Sequence, residues 1–263
     1  IAFFKWDCNS PITNIYSAYL KDKQGQLYID HVRGVYHVMK RVKENYPNVP
    51  MMLCSGGGAR CDYEALKYFT EFWCSDNTDP VERIYIQWGF SQFFPAKAMD
   101  AHVTSWNKAT SVKFRTDVAS MCKLGFDIGL KELTTGELAY CQMAVANWKR
   151  LQNTIMDGDQ YRLVSPYESN HMALNYVSKD TNKVVLFAYD IHPRFQEKLI
   201  AVKLQGLDPN KQYKVEEINL MPSTNSKLDA NGKVYSGDYL MKAGLNVFGF
   251  VPTQSYVIEL TAQ

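Results

Sequence analysis

Over residues 1–157, short apolar runs alternate with amphipathic stretches five times, and this alternation constrains the fold more than any other feature. Ile1–Asp7 opens the series and reads as a buried strand ending in a charge. Tyr28, Val32, Val35, Met39, Val42 and Tyr46 then recur at steps of three and four, which predicts an amphipathic helix closed by Pro47 and Pro50. Met51–Ser55 predicts a second buried strand and Tyr63–Phe69 a second helix. The pattern repeats with strand Glu71–Ser75 before a helix from Pro80, and with strand His102–Ser105 before a helix over Val112–Lys123. It ends with strand Phe126–Leu130 and a helix over Thr135–Leu151.

Strands separated by helices return in parallel, because each helix carries the chain back across the sheet. A complete (β/α)8 barrel takes about 250 residues, so five of its eight units need roughly 156. Residues 1–157 therefore read as the last five βα units of a partial TIM barrel. An open doubly wound sheet is the alternative, but its dinucleotide-binding form needs a G-x-G-x-x-G turn that the chain lacks. After Gly158 the texture changes. Strand-like runs Tyr161–Val164, Ala173–Val177, Val184–Tyr189, Leu199–Leu204, Tyr213–Ile218, Tyr239–Lys242 and Tyr256–Leu260 are separated by turn signals such as Asp208-Pro209-Asn210 and Asn231-Gly232. Residues 158–263 read as an antiparallel β-sandwich.

Composition narrows the function classes. Apolar residues make up 46% and charged residues 21%, with a net charge of +2 and both signs mixed along the chain. That balance is ordinary for a soluble globular protein and offers no basic block for nucleic acid or a membrane surface. No apolar run is long enough to span a bilayer. Aromatic residues, at 13%, suit a large core and also suit stacking on pyranose rings. The six cysteines, Cys8, Cys54, Cys61, Cys74, Cys122 and Cys141, lack the paired spacing of a zinc site and mostly lie in apolar patterns, which predicts buried thiols. The sequence opens at Ile1, inside a strand-like run and without Met or signal peptide, so an N-terminal segment is expected to have been removed or to be absent from this chain, and the compartment, cytoplasmic or periplasmic, is not readable from it.

Two motifs could carry chemistry. Barrel enzymes place catalytic groups at the C-terminal ends of their strands, and Asp7 in Lys5-Trp6-Asp7-Cys8-Asn9 lies at such an end. Lys5, two positions earlier, points to the same side of the strand, and a cation there favours the charged carboxylate that a nucleophile needs. The second motif, Ser75-Asp76-Asn77-Thr78-Asp79-Pro80, holds two aspartates. Asp79-Pro80-Val81-Glu82 has the form of a capping box with proline at the first helical position, so Asp79 has a structural role. Asp76 has none, which makes it the second catalytic candidate. Trp73 could wall a sugar site or simply fill the core. Cys54-Ser55-Gly56-Gly57-Gly58-Ala59-Arg60 is a glycine-rich loop without the Lys-Ser/Thr of a phosphate loop, so it allows close backbone approach to a ligand or is merely a loop. Asp62 is expected to cap the following helix. His102 reads as a structural histidine, and His31, His37, His171 and His192 are scattered.

Taken together, these segments resemble glycoside hydrolase family 36. The resemblance rests on Lys5-Trp6-Asp7-Cys8-Asn9, Met51-Met52-Leu53-Cys54-Ser55-Gly56-Gly57-Gly58 and Ser75-Asp76-Asn77-Thr78-Asp79 with Glu82-Arg83. It continues through Phe114-Arg115-Thr116-Asp117, Leu124-Gly125-Phe126-Asp127, Tyr161-Arg162-Leu163-Val164-Ser165-Pro166 and Leu204-Gln205-Gly206-Leu207-Asp208. It implies a retaining α-galactosidase that removes terminal α-1,6-linked galactose from melibiose, raffinose and similar oligosaccharides. It further implies Asp7 as nucleophile, Asp76 as acid/base, and Lys5, Trp6, Asn9, Cys54, Ser55, Gly56, Gly57 and Trp73 around the sugar. Neither a metal nor an organic cofactor is implied, and assembly into a homo-oligomer is compatible with it. A raffinose-synthase-type galactosyltransferase, an α-N-acetylgalactosaminidase and a non-catalytic carbohydrate-binding remnant are the alternatives. Ala59, Cys61 and Cys74 depart from the residues usual in the family. Its members also carry an N-terminal β-sandwich and three earlier barrel units. An open barrel exposes strand edges, so this missing N-terminal part is expected from another segment or chain.

Overall fold

A computed structural model describes residues 1–7, 16–56, 59–106 and 109–263. By its internal contacts the chain divides into two compact units, Ile1–Asp76 and Asn77–Gln263.

In the first unit, β1 (Phe4–Asp7), β2 (Met51–Cys54) and β3 (Glu71–Trp73) run parallel, with α1 (Leu27–Asn45) in the connection from β1 to β2. Every residue of β2 and β3 is buried, as the unbroken apolar run of β2 requires, and β3 buries Glu71 beside Phe72 and Trp73. β1 departs from the expected buried strand: Phe4, Lys5 and Asp7 are exposed and only Trp6 is half-buried. The stripe of α1 is covered only in part. Met39 is buried and Val35 and Val42 are half-buried, whereas Tyr28, Val32 and Tyr46 face solvent. Periodicity reports that a face is apolar; it does not report what covers it. The expected helix over Tyr63–Phe69 is also shorter, a single 3-10 turn over Ala65–Lys67. Asp62 starts it by accepting the Ala65 N–H at 2.8 Å and also accepts the Tyr36 hydroxyl.

The second unit opens with α2 (Pro80–Phe90), β4 (Met99–Thr104), α3 (Val112–Ala119), β5 (Lys123–Asp127) and α4 (Thr135–Asp157), and β4 and β5 are parallel. β4 and β5 each begin three residues earlier than the sequence suggests. Gly125 is the reason for β5. It reads as a breaker, yet it sits within the strand opposite His102, and a Cβ there would lie 2.2 Å from the imidazole. His102 in turn approaches the Asp100 carboxylate at 3.5 Å.

From Asp159 onward the chain is antiparallel. β6 (Asp159–Val164), β7 (His171–Val177), β8 (Lys183–Asp190), β9 (Gln212–Ile218), β10 (Val234–Ser236) and β11 (Gln254–Ala262) form one sheet in the order β10-β9-β11-β8-β7-β6. Two expected strands are not strands. Leu199–Leu204 contributes a single bridge, Val202 to Leu245, and Tyr239–Lys242 belongs to α5 (Gly237–Lys242), capped by Ser236 Oγ on the Tyr239 N–H. Their apolar residues are nonetheless inside. Val202, Leu204, Leu240 and Leu245 pack with Val184, Leu186, Ile258 and Leu260. The second layer over this sheet is therefore irregular chain and a short helix. On the other side, Asp117 of α3 ties helices to sheet. It accepts from Lys113 (2.5 Å), Tyr140 (2.8 Å), Asn219 (2.9 Å) and Ser255 (2.7 Å), and its carbonyl accepts from Tyr189. With helices on one face and the irregular layer on the other, β7 is buried throughout and β8 at all but its first residue.

Candidate active site

The candidate residues of the first unit converge at the C-terminal ends of its strands. Asp7 ends β1 and pairs in register with Cys54, which ends β2. Cys54 is fully buried, with Asp7 as its neighbour across the strand pair. Burial pushes this thiol up to about 11; Lys5 pulls it down, while Asp7 and Asp76 push it further up. One sulfur thus feels both candidate carboxylates and the candidate cation. Lys5 also lies with its Nζ 4.8 Å from the centre of the Trp73 ring, a cation–π contact. Trp73 is 5% exposed, packs with Met52 and Cys54, and donates its indole N–H to Asp76 at 2.8 Å.

The other candidates fall into three groups. Ser55 is buried and Gly56 adopts φ +55, a left-handed conformation that glycine takes without strain, so the loop turns sharply after β2. Trp6 projects to the other side of β1 from Lys5 and Asp7 and packs edge-on to Phe4 and Phe69. Asn9 and Gly57 lie outside the described residues, as does Cys8. A residue given no role from sequence is Arg60, whose guanidinium donates to the Cys54 carbonyl at 2.7 Å and closes the loop onto the strand end. Spacing alone could not show that it folds back over six positions. Among the remaining thiols, Cys74, Cys122 and Cys141 are buried, and Cys61, half-buried, is pushed up to about 12 by burial.

In the second unit, Asp79 behaves as its helix grammar predicts. Its carboxylate accepts from the N–H groups of Val81 (2.9 Å) and Glu82 (3.1 Å) at the start of α2. Its own N–H donates to Asn77 Oδ1 at 3.0 Å, a role that a capping box would give to Glu82. His171 is buried between Asp190 (2.8 Å) and Glu197 (3.2 Å) and stacks on Phe248, a structural setting. Among the described residues no group of three or more His, Cys, Asp or Glu has the geometry to hold a metal ion. No helix of the described residues is long and apolar enough to cross a membrane.

Two carboxylates at the ends of parallel strands, a flanking cation and an indole donor are the apparatus of acid–base and nucleophilic chemistry at a polar, uncharged substrate. Comparison with known proteins identifies the family. A model of the melibiase family matches residues 1–158, and a model of the glycosyl hydrolase family 36 C-terminal domain matches residues 171–260. The chain is 32% identical over 250 residues to alpha-galactosidase 1 of Pediococcus pentosaceus, a match covering 93% of this chain and 32% of the relative. With alpha-galactosidase AgaA of Geobacillus stearothermophilus it shares 33% identity over 251 residues, again 93% of this chain and 32% of the relative. The structure of the GH36 alpha-galactosidase AgaB from the same organism matches with a TM-score of 0.90 at 31% identity, over 100% of this chain and 35% of that one. An AgaA variant solved with raffinose matches with a TM-score of 0.90 at 30% identity, over 100% of this chain and 36% of that one. The chain thus spans about a third of the length of the relatives it matches. Its fold is the expected one, part of a (β/α)8 barrel followed by an antiparallel β domain.

Proposed function

The chain belongs to glycoside hydrolase family 36, and on that premise we propose that it carries both catalytic carboxylates of a retaining α-galactosidase acting on terminal α-1,6-linked galactose. The observation that supports this reading most is geometric: Asp7 pairs in register with Cys54, and Trp73, packed on Cys54, meets Lys5 with its ring face and Asp76 with its indole N–H. The named activities of the relatives and the raffinose bound by the AgaA variant agree with it.

In this reading Asp7 attacks the anomeric carbon as the bond to the leaving oxygen breaks, and Asp76 gives that oxygen its proton. A β-galactosyl ester on Asp7 results. Asp76, now a carboxylate, takes a proton from water, whose oxygen attacks the same carbon and releases Asp7. Two inversions return the α configuration. Lys5, Cys54, Ser55 and Gly56 surround the sugar in this proposal, whereas Trp6 points to the other side of β1, with residues 1–157 as barrel and 158–263 as the β domain. The exposed apolar residues Phe3, Phe4, Tyr28, Ile29 and Val32 are the surface that the remainder of the barrel would cover.

The test is the anomer of galactose first released from raffinose by the full-length enzyme, read by proton NMR before mutarotation. Appearance of α-galactose first is expected; β-galactose first overturns the mechanism. The carboxyl groups of Asp7 and Asp76 in the intact site should lie about 5–5.5 Å apart, since a gap above about 9 Å puts the carboxylate too far for direct attack and leaves room for a water instead.

A further inference from the structure

Asp76 stands three residues beyond the end of β3, exposed, where neither strand nor helix holds its carboxylate in place. Proton donation to a glycosidic oxygen requires that carboxyl to be aimed, because the transfer occurs over hydrogen-bond distance. The group that meets it is the indole N–H of Trp73, 2.8 Å from Oδ1. Trp73 cannot itself swing freely. It is 5% exposed, wedged with Met52 and Cys54, and its ring face lies under the ammonium of Lys5 at 4.8 Å. A single rigid ring therefore touches Asp76 at its edge and, at its face, the cation that shares a strand side with Asp7.

We propose that Trp73 is a positioning residue that aims the Asp76 carboxyl at the leaving-group oxygen through its indole N–H. The inference rests on Asp76 being the acid/base and adds how that residue is held. Trp73 as a mere wall of the sugar site would contact the galactose common to every substrate. Acting through Asp76, it matters in proportion to how much the leaving group needs a proton. Raffinose, whose leaving group is a poor one, needs that proton; a nitrophenyl α-galactoside, whose phenolate departs unaided, does not.

The experiment compares Trp73→Phe with the parent in the full-length enzyme on both substrates. Phenylalanine keeps an aromatic face beneath Lys5 and removes the N–H. General acid catalysis contributes about 10²–10⁴-fold, and misaiming forfeits part of it, so kcat on raffinose should fall about 10- to 100-fold with KM little changed. Cleavage of the nitrophenyl galactoside to form the glycosyl-enzyme should change by less than about 3-fold, since that step bypasses the acid. Equal losses on the two substrates, or a loss confined to KM, overturn the proposal. Should Trp73→Phe fail to fold, Asp76→Ala, an exposed substitution, supplies the second reading. In protein labelled with 15N in its tryptophan indoles, removal of the carboxylate should move one indole N–H resonance upfield, and an unchanged spectrum overturns the proposal. The underlying assignment fails separately: if Asp76→Ala hydrolyses raffinose at the parental rate, Asp76 is not the acid/base at all.

Discussion

Asp7 and Cys54 are register partners at the C-terminal ends of β1 and β2, so their side chains stand on the same side of neighbouring strands. The buried thiol beside the proposed nucleophile is thus supplied by a neighbouring strand, and its placement depends on the register of a sheet.

Because burial and two nearby carboxylates push the Cys54 thiol up to about 11, it should be inert at neutral pH. Iodoacetamide at pH 8 should label Cys54 in urea and leave it unlabelled in the native protein, as read by mass spectrometry. Native labelling as fast as that of a free thiol would contradict its buried placement. The linkage has a definite sign. A folded-state value above the unfolded one stabilises at pH below the ordinary thiol range, and that contribution is lost as pH rises towards about 11.

Asp79→Ala and Asp76→Ala should separate stability from chemistry. The first removes an N-cap that accepts two N–H groups of α2 and should cost about 0.5–2 kcal/mol in denaturant unfolding. Its kcat on raffinose should stay within about 3-fold of the parent, a change that corresponds to well under one 1.4 kcal/mol decade. A collapse of activity in a folded Asp79→Ala protein would mean that the two aspartates exchange roles.

Azide distinguishes the two proposed catalytic carboxylates. With a nitrophenyl α-galactoside, Asp76→Ala should still form the glycosyl-enzyme, and azide should accelerate its breakdown to the α-galactosyl azide by a second inversion. Asp7→Ala forms no such ester, so rescue there should proceed by one inversion to the β-galactosyl azide. Product NMR reporting the opposite anomers would reverse the two roles.

Asp117→Ala should be among the most damaging substitutions away from the strand ends. It leaves Lys113, Tyr140, Asn219 and Ser255 without their shared acceptor, and the Lys113 side chain is only 17% exposed. Removing one partner of a buried ion pair costs about 3–5 kcal/mol. A loss below about 1 kcal/mol in urea unfolding would show that water replaces the carboxylate.

Much of this molecule is legible in its residues because the relevant physics is local. Asp79-Pro80 starts a helix through bonds that reach two and three residues, so Asp79 can be told from Asp76 with no knowledge of the fold. The run at Met51 is a strand because nothing in it tolerates water, and Lys5 and Asp7 share a side because strand side chains alternate. Most misreadings lie where a distant neighbour decides. Gly125 remains within a strand because His102 fills the space of its missing side chain; Tyr239–Lys242 is instead a local case, helical because Ser236 caps it three residues upstream while Leu240 still reaches the core. Leu199–Leu204 is apolar enough for a strand but forms a β-bridge only at Val202 among the described residues. The same holds at the candidate site. Each side chain's chemistry is visible in the sequence, whereas Cys54 beside Asp7 depends on the pairing of β1 with β2, and the contacts of Trp73 with Asp76 and of Arg60 with Cys54 depend on how the chain turns after β3 and β2. Hydrogen bonds reach about 3 Å, and only the tertiary fold brings such groups within that distance.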